Sequence, residues 1–140
     1  MRKPVWSGFT LVEVLLAVLI SSLLLTLALP GYRDSVLRAG RTEGHALLLR
    51  VAAEQERYYS RHNQYSQYAD PFSEPPGNQR QSAGGRYEAE LRSCDGQSQE
   101  HCFVAVAIPL GAQQRDDCGE LRLWSTGLRD ASGGNRQECW

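Results

Sequence analysis

The sequence predicts an α+β protein in which a long, kinked amino-terminal α-helix packs on an antiparallel sheet of three or four strands. Three observations carry this prediction. An apolar run from Phe9 to Leu29 continues into a segment whose core-type residues recur every three or four positions. Beyond residue 85, shorter segments alternate apolar and polar residues, as half-buried strands do. The four cysteines all lie in the last third of the chain, within this strand region.

The first element is an apolar helix close to the amino terminus. The run from Phe9 to Leu29 is about 21 residues long and spans roughly 30 Å as a helix, the thickness of a bilayer core. Glu13 is its one charged residue. A carboxylate inside a membrane costs a few kcal/mol, so it usually has a partner and a function. Arg2 and Lys3 precede the run and place the amino end in the cytoplasm, with the carboxyl end outside.

The same helix is predicted to continue to about residue 61. Pro30 follows the apolar run, and a proline there kinks or loosens a helix. After it, one face repeats at three- and four-residue steps: Val36, Gly40, Gly44, Leu47, Val51, Gln55 and Tyr58. Because Gly40 and Gly44 lower helix propensity, they indicate that another element approaches the helix closely there.

The sheet is predicted from three segments, each with residues that alternate or form a short apolar run. They are "GRYEAELRSC", "CFVAVAIPL" and "CGELRLWSTG". Residues 66–85 contain three prolines and three glycines and are predicted to be a loop. The segment "DGQSQEH" is predicted to be a hairpin loop, and the last segment, "LRDASGGNRQECW", a surface loop.

The cysteines predict disulfide bonds and an oxidising compartment. Cys94, Cys102, Cys118 and Cys139 lack the CxxC pairs of a zinc site, and an even number in a small exported domain favours two disulfides. Four cysteines allow three pairings. We favour Cys94–Cys102, which brackets the loop between two strands expected to be adjacent, and Cys118–Cys139. The second bond closes a loop that has few apolar residues to hold it by burial.

No pattern in the chain is typical of catalysis or cofactor binding. His45, His62 and His101 are scattered, and no nucleophile–base pair, phosphate-binding loop or pair of catalytic acids stands out. We therefore predict no enzymatic activity, no metal and no cofactor. The formal net charge of −1 favours no particular partner. The aromatic end of the helix, around Tyr58 and Tyr65, is expected to pack over the sheet rather than to stack on bases.

Three explanations of the amino terminus compete. A cleaved secretory signal fits poorly, because the run is long, contains an acid and lacks a small-x-small cleavage site. A plain single-span anchor leaves Glu13 unexplained. The third rests on "GFTLVEVLLAVLI", which resembles the amino-terminal motif of type IV prepilins and pseudopilins.

That resemblance implies a role for each residue of the motif. A prepilin peptidase would cut between Gly8 and Phe9 and the new amine of Phe9 would be N-methylated. Glu13, fifth in the mature chain, would pair with the amine of a neighbouring subunit during assembly. Phe9 and Glu13 lie one helical turn apart, so an amine and a carboxylate can meet on one face. The family also has a proline at the place of Pro30, where the helix is expected to kink.

The rest of the chain resembles the PilE-like minor type IV pilins. The features shared with them are a helix ending in "EQERYY", the segment "CGELRLWSTG" and a carboxyl-terminal "ECW". The resemblance implies a structural subunit that joins a type IV pilus or primes its assembly, with twitching motility, adhesion or DNA uptake as outputs. A type II secretion pseudopilin and a DNA-binding competence pilin remain open as alternatives.

The implied organisation has three parts. Residues 1–8 are the leader peptide, residues 9–30 the transmembrane and assembly helix, and residues 31–140 the pilin globular domain with the second half of the helix. The chain would cross the inner membrane once, carboxyl end in the periplasm, and then move to a pilus on the cell surface. Its expected partners are other major and minor pilins, the prepilin peptidase/methyltransferase and the inner membrane; DNA is not favoured.

Overall fold

The structure is a computed structural model that describes residues 9–74, 76–77 and 80–140. The predicted leader, residues 1–8, lies outside the described residues. The elements in chain order are α1 (Leu11–His62), β1 (Arg80–Gln81), β2 (Tyr87–Ser93), β3 (Phe103–Pro109), a 3₁₀ helix (Gly111–Arg115), β4 (Leu121–Trp124), β5 (Arg129–Ala131) and α2 (Arg136–Cys139). The chain divides into two compact units, Met1–Val36 and Leu37–Trp140.

The first unit contains the apolar half of α1. Its side chains from Leu11 to Leu25 are exposed, and the helix has a stretch long and apolar enough to cross a membrane. Ser22 and Thr26 donate their hydroxyls to the carbonyls of Leu19 and Leu23, at 2.8 and 2.7 Å. These two hydroxyls therefore have hydrogen-bond partners within the helix itself, which lowers the cost of an apolar environment around them. The helix is continuous past Pro30, and the kink there stays a prediction.

The second unit packs the polar half of α1 on the sheet. Leu47, Leu48 and Val51 are buried, and they join the sheet residues in one hydrophobic core. A Cβ atom on Gly44 would lie 2.8 Å from Cδ1 of Leu121 and 3.2 Å from the ring of Tyr87. The close approach that the helical glycines predicted is therefore confirmed at Gly44.

The sheet has five antiparallel strands in the order β1-β2-β3-β4-β5. Alternate residues of its three central strands face α1: Tyr87, Ala89, Leu91, Phe103, Ala105, Ala107, Leu121 and Leu123. The small alanines on β2 and β3 leave room for the helix. The opposite face carries Val104 and Val106 among the charged side chains of β2 and β4.

Five strands exceed the three or four that the sequence predicted. β1 lies in the segment expected to be a loop, and β5 and α2 lie in the segment expected to be a carboxyl-terminal surface loop. A strand of two or three residues is too short to show alternation. These strands form because β2 and β4 each offer an unpaired edge, which is a tertiary property.

The two disulfides join Cys94 to Cys102 and Cys118 to Cys139, with Cα atoms 5.6 and 5.7 Å apart. The first closes the hairpin between β2 and β3, whose register pairs Ser93 with Phe103. The second ties α2 to the segment before β4, and both of its cysteines are buried. This is the pairing that the sequence analysis favoured.

Candidate functional site

The amino-terminal segment places its predicted site residues at the start of α1. Phe9 is 82% exposed. The hydroxyl of Thr10 accepts a hydrogen bond from the backbone N–H of Glu13 at 3.3 Å, so Thr10 caps the helix. With Glu13 three residues after the cap, "TLVE" has the spacing of a capping box, a signal that the sequence analysis missed. Gly8 lies outside the described residues.

Glu13 also lines a groove along one face of the apolar helix. The groove is lined by Phe9, Glu13, Val14, Ala17, Val18, Ser21, Ser22 and Leu25. Among the residues that the structure describes, no donor bonds the Glu13 carboxylate. A carboxylate near a helix amino terminus is favoured by the helix dipole. The face therefore presents one acid, near its amino-terminal end, on a surface that is otherwise apolar or hydroxylic.

A second cluster joins the disulfide-bonded carboxyl end to α1. The guanidinium of Arg41 donates to both carboxylate oxygens of Asp116, at 2.7–3.0 Å, and to the carbonyl of Glu138 at 3.0 Å. Asp116 also accepts from the Gln113 amide at 2.8 Å and the Cys118 N–H at 3.1 Å. Burial raises the pKa of the Asp116 carboxyl, but these hydrogen bonds outweigh it and lower the pKa overall.

Trp140 also belongs to this second cluster. Its ring stacks on His45 with centroids 4.5 Å apart, and its indole N–H donates to the carbonyl of Asp130 at 2.7 Å. The Arg129 guanidinium lies 5.3 Å from the indole centroid. Nε2 of His45 is 2.8 Å from the Cys139 carbonyl, which can only accept, so Nε2 carries the proton. Burial lowers the pKa of His45, which keeps the imidazole neutral at pH 7.

A third cluster lies where α1 ends and the following loop begins. The guanidiniums of Arg57 and Arg61 lie 5.0 and 5.8 Å from the ring centroid of Phe72, which is 40% exposed. Tyr58 stacks on His62 at 4.0 Å and lies 6.3 Å from Phe72. The aromatic end of the helix thus has an exposed basic side that sequence reasoning did not predict, because Phe72 is distant from the arginines along the chain.

At the carboxyl end of α1, the side that faces the sheet agrees with the sequence prediction that tyrosines pack there. Tyr65 meets Phe103 edge-on, with centroids 4.8 Å apart, and donates its hydroxyl to Glu56 at 2.9 Å. Burial and the bond to Glu56 raise the pKa of Tyr65 to about 12. Tyr65 therefore belongs to the core, whereas Tyr68, 45% exposed, faces solvent.

Comparison with known proteins finds a matching family and a similar solved structure. Residues 30–122 match the family described as "Type IV minor pilin ComP, DNA uptake sequence receptor". Among solved structures, the fold is similar to the "High-Resolution Structure of a Type IV Pilin from Shewanella oneidensis". The TM-score is 0.53 at 23% identity, over 74% of this chain and 97% of that chain. No curated protein matches the chain.

The two matches agree with the motif at the amino terminus, although they rest on different residues. The motif lies within residues 8–20, whereas the family match begins at residue 30 and covers more than half of the chain. The pilin structure shares the long helix and the antiparallel sheet. The chain belongs to the ComP family of type IV minor pilins.

Proposed function

We propose that residues 9–30 hold the chain in the inner membrane as a single span until prepilin peptidase cuts between Gly8 and Phe9. The peptidase/methyltransferase then methylates the amine of Phe9, and the subunit enters a type IV pilus. In this proposal residues 31–140 lie on the periplasmic side, where the two disulfides form. The family match favours a pilus over the pseudopilus of a secretion system.

The observation that carries this proposal is the exposed apolar helix with a single acid near its start. The side chains from Leu11 to Leu25 are all exposed, and all except Glu13, Ser21 and Ser22 are apolar. A contiguous apolar surface of this size is unstable in water, so lipid or other helices must cover it. Lipid covers the apolar residues well but leaves Glu13 without a partner. Helices of neighbouring subunits can cover both, provided that one of them supplies a cation.

A neighbour's amino terminus is the cation that fits. In the mature chain the amine would lie on Phe9, at the end of the same groove that contains Glu13. A carboxylate and an amine, each on a helix start, pair only when adjacent helices are offset by about one turn. Glu13 would then fix the axial register of the subunit in the filament.

The test is to quantify the subunit in sheared pili from strains with Glu13→Gln and Ser22→Ala. Glu13→Gln removes the charge but keeps the size. Ser22→Ala is the matched control, because it changes a polar group of the same groove whose hydroxyl is already bonded to its own helix. We expect normal membrane levels of both variants and a severalfold loss of the Gln variant from pili. Equal incorporation of the two would contradict the register role.

DNA binding is a second candidate function. The matched family is described as a DNA uptake sequence receptor, and this chain presents Arg57 and Arg61 on an exposed surface without a carboxylate within 4 Å among the described residues. Binding of this kind weakens steeply as salt rises, because Arg–phosphate contacts release counterions. Fluorescence anisotropy of labelled DNA at increasing salt tests it. Binding that does not depend on salt would argue against an arginine surface.

A further inference from the structure

The outer face of the sheet, the one away from α1, contains a pocket between β2, β3 and β4. Val104 and Val106 of β3 form its floor, and Trp124 of β4 lies beside Val104 in the register of the sheet. The pocket has a volume of about 260 Å³, just below the range of about 300–1,000 Å³ that is typical of drug-sized ligands. It therefore has the size for a ligand of about one ring.

The two arginines of this pocket are held in place by glutamates. Arg92 donates to Glu90 and, at 3.2 and 3.3 Å, to both carboxylate oxygens of Glu120. Arg122 donates to Glu120 at 3.0 Å. A guanidinium has five N–H donors, so these bonds leave donors for a ligand. Because two cations meet two carboxylates here, the network has no net charge and offers a phosphate little electrostatic attraction.

Three other polar groups of the pocket have no hydrogen-bond partner among the described residues. They are the hydroxyl of Ser93, the carboxylate of Asp95 and the indole N–H of Trp124. Ser93 ends β2, and Asp95 follows it in the loop of the β2–β3 hairpin, so both lie at one end of the pocket. The pocket thus offers a free carboxylate, a free hydroxyl and a free N–H next to an apolar floor.

The fold gives no reason for an indole at Trp124. The backbone N–H of Trp124 donates to the Leu128 carbonyl at 2.9 Å, a bond that any residue except proline would make. Its side chain is half-buried on the outer face. In contrast, the indole of Trp140 stacks on His45 and donates its N–H to a carbonyl. Trp124 is therefore available to a ligand in a way that Trp140 is not.

These groups match the chemistry of a sugar ring. One face of a pyranose consists of C–H groups, which pack well on an aromatic ring, and its hydroxyls both donate and accept hydrogen bonds. Asp95 has the acceptors for two neighbouring hydroxyls, and bonds to a carboxylate are the stronger kind. Arg122 and the Trp124 N–H have donors for hydroxyl oxygens. A wholly apolar ring would instead leave these groups unpaired, at a cost in desolvation.

We infer that this pocket binds one uncharged sugar residue of a glycan. The C–H face of the ring packs on Trp124, and Asp95 accepts hydrogen bonds from the hydroxyls. The site is independent of the assembly and DNA-binding roles proposed above, because it contains none of their residues, Glu13, Arg57 and Arg61. Its failure would leave both roles untouched.

The test is saturation-transfer NMR with the full chain in a polyoxyethylene detergent, which has no sugar headgroup. The probes are four uncharged trisaccharides, built from glucose, galactose, mannose or N-acetylglucosamine residues. We expect at least one of them to bind, with a dissociation constant in the millimolar range, because a single ring buries little surface. If none binds, the inference is wrong.

Two variants with matched controls locate the binding. Asp95→Ala should weaken it by about tenfold or more, as loss of a hydrogen bond to a charged group does. Asp117→Ala, which removes an exposed acid elsewhere, should leave the affinity unchanged. Trp124→Ala should abolish detectable binding, whereas Tyr68→Ala, which removes another exposed ring, should not. An unchanged Tm shows that each variant is folded, and the exposed Asp95 decides alone if Trp124→Ala is not.

Two charged trisaccharides test the chemical class of the ligand. One is built from glucosamine and carries ammonium groups, and the other is built from galacturonate and carries carboxylates. Both should bind more weakly than the best uncharged probe. Tighter binding of the glucosamine probe would mean that Asp95 holds a cation, and tighter binding of the galacturonate probe that the arginines hold an anion. Either result would overturn the inference, as would equal losses from Asp95→Ala and Asp117→Ala.

Discussion

Replacing Arg41 with alanine should destabilise the second unit more than any other removal of an exposed or half-buried arginine. The Asp116 side chain is fully buried and that of Arg41 is 17% exposed. Arg41→Ala removes three hydrogen bonds to Asp116 and one to the Glu138 carbonyl. The Asp116 carboxylate would remain buried with two neutral donors, the Gln113 amide and the Cys118 N–H.

The magnitude follows from the burial of the pair. Removing one partner of a buried ion pair costs about 3–5 kcal/mol, because the other charge stays behind without compensation. The remaining donors and the partial exposure of Arg41 place this case near the lower end, at about 3 kcal/mol. For a unit of this size that corresponds to a fall in Tm of about 15 °C. Thermal unfolding of the full chain in detergent, with its disulfides intact, measures this by near-UV circular dichroism.

Arg50→Ala is the control. Arg50 is 66% exposed and lies 3.6 Å from Glu54 one turn away, an arrangement that contributes about 0.3–0.5 kcal/mol. Adding Asp116→Asn to Arg41→Ala should recover part of the loss, since it removes the uncompensated charge. If Arg41→Ala costs no more than Arg50→Ala, the ion pair does not hold the carboxyl end and the reasoning is wrong.

The same pair predicts a pH dependence. Folding lowers the pKa of Asp116, so the folded state binds fewer protons than the unfolded state at low pH. The stabilisation is then complete above about pH 5 and is lost as the pH falls through the folded pKa. Arg41→Ala should flatten the decline of Tm below pH 5, whereas Arg50→Ala should leave its slope unchanged.

Three further predictions concern the disulfides, two glycines of α1 and the mature amino terminus. Cys139→Ser should make the domain protease-sensitive and lower its abundance, whereas Cys94→Ser should do less. The loop between Cys118 and Cys139 is held by its disulfide, while the hairpin between Cys94 and Cys102 is also held by strand pairing. Limited proteolysis compares the two variants. Gly44→Ala should destabilise the fold by about 1–3 kcal/mol, because the added Cβ overpacks against the sheet. Gly31→Ala should stabilise it slightly, because a Cβ there contacts nothing within 4 Å and alanine favours helix. The Tm of each variant measures the difference. Intact mass from the native host should show a mature chain that begins at Phe9 with an N-methyl group, and a start near residue 30 would contradict the processing.

Local sequence patterns were sufficient to predict the long helix and the central strands. Hydrophobic periodicity and strand alternation are properties of consecutive residues, and α1, β2, β3 and β4 each contain enough of them. The disulfide of the hairpin could be predicted because strands joined by a short loop usually pair. β1 and β5 could not be predicted, because a strand of two or three residues carries no periodic signal and depends on the edge that it joins.

Some residues of the candidate site could likewise be identified from sequence, and others could not. Glu13 could be recognised from sequence because a single charge in an apolar run stands out wherever the chain folds. The ion pair of Arg41 with Asp116 could not be recognised from sequence, since Asp116 lies 75 residues further along the chain. Nor could the basic aromatic cluster, whose Phe72 reaches Arg57 and Arg61 only because of the path of the loop after α1.

The sequence by itself therefore determined the long apolar helix, its acid and the α+β class, since these follow from the order of neighbouring residues. The tertiary structure alone decided which arginines are neutralised and which are not. Arg41 meets a buried carboxylate, while Arg57 and Arg61 meet only Phe72 among the described residues. The physical reason is that a charge is neutralised by what lies within a few ångströms in space, and sequence separation does not report that distance.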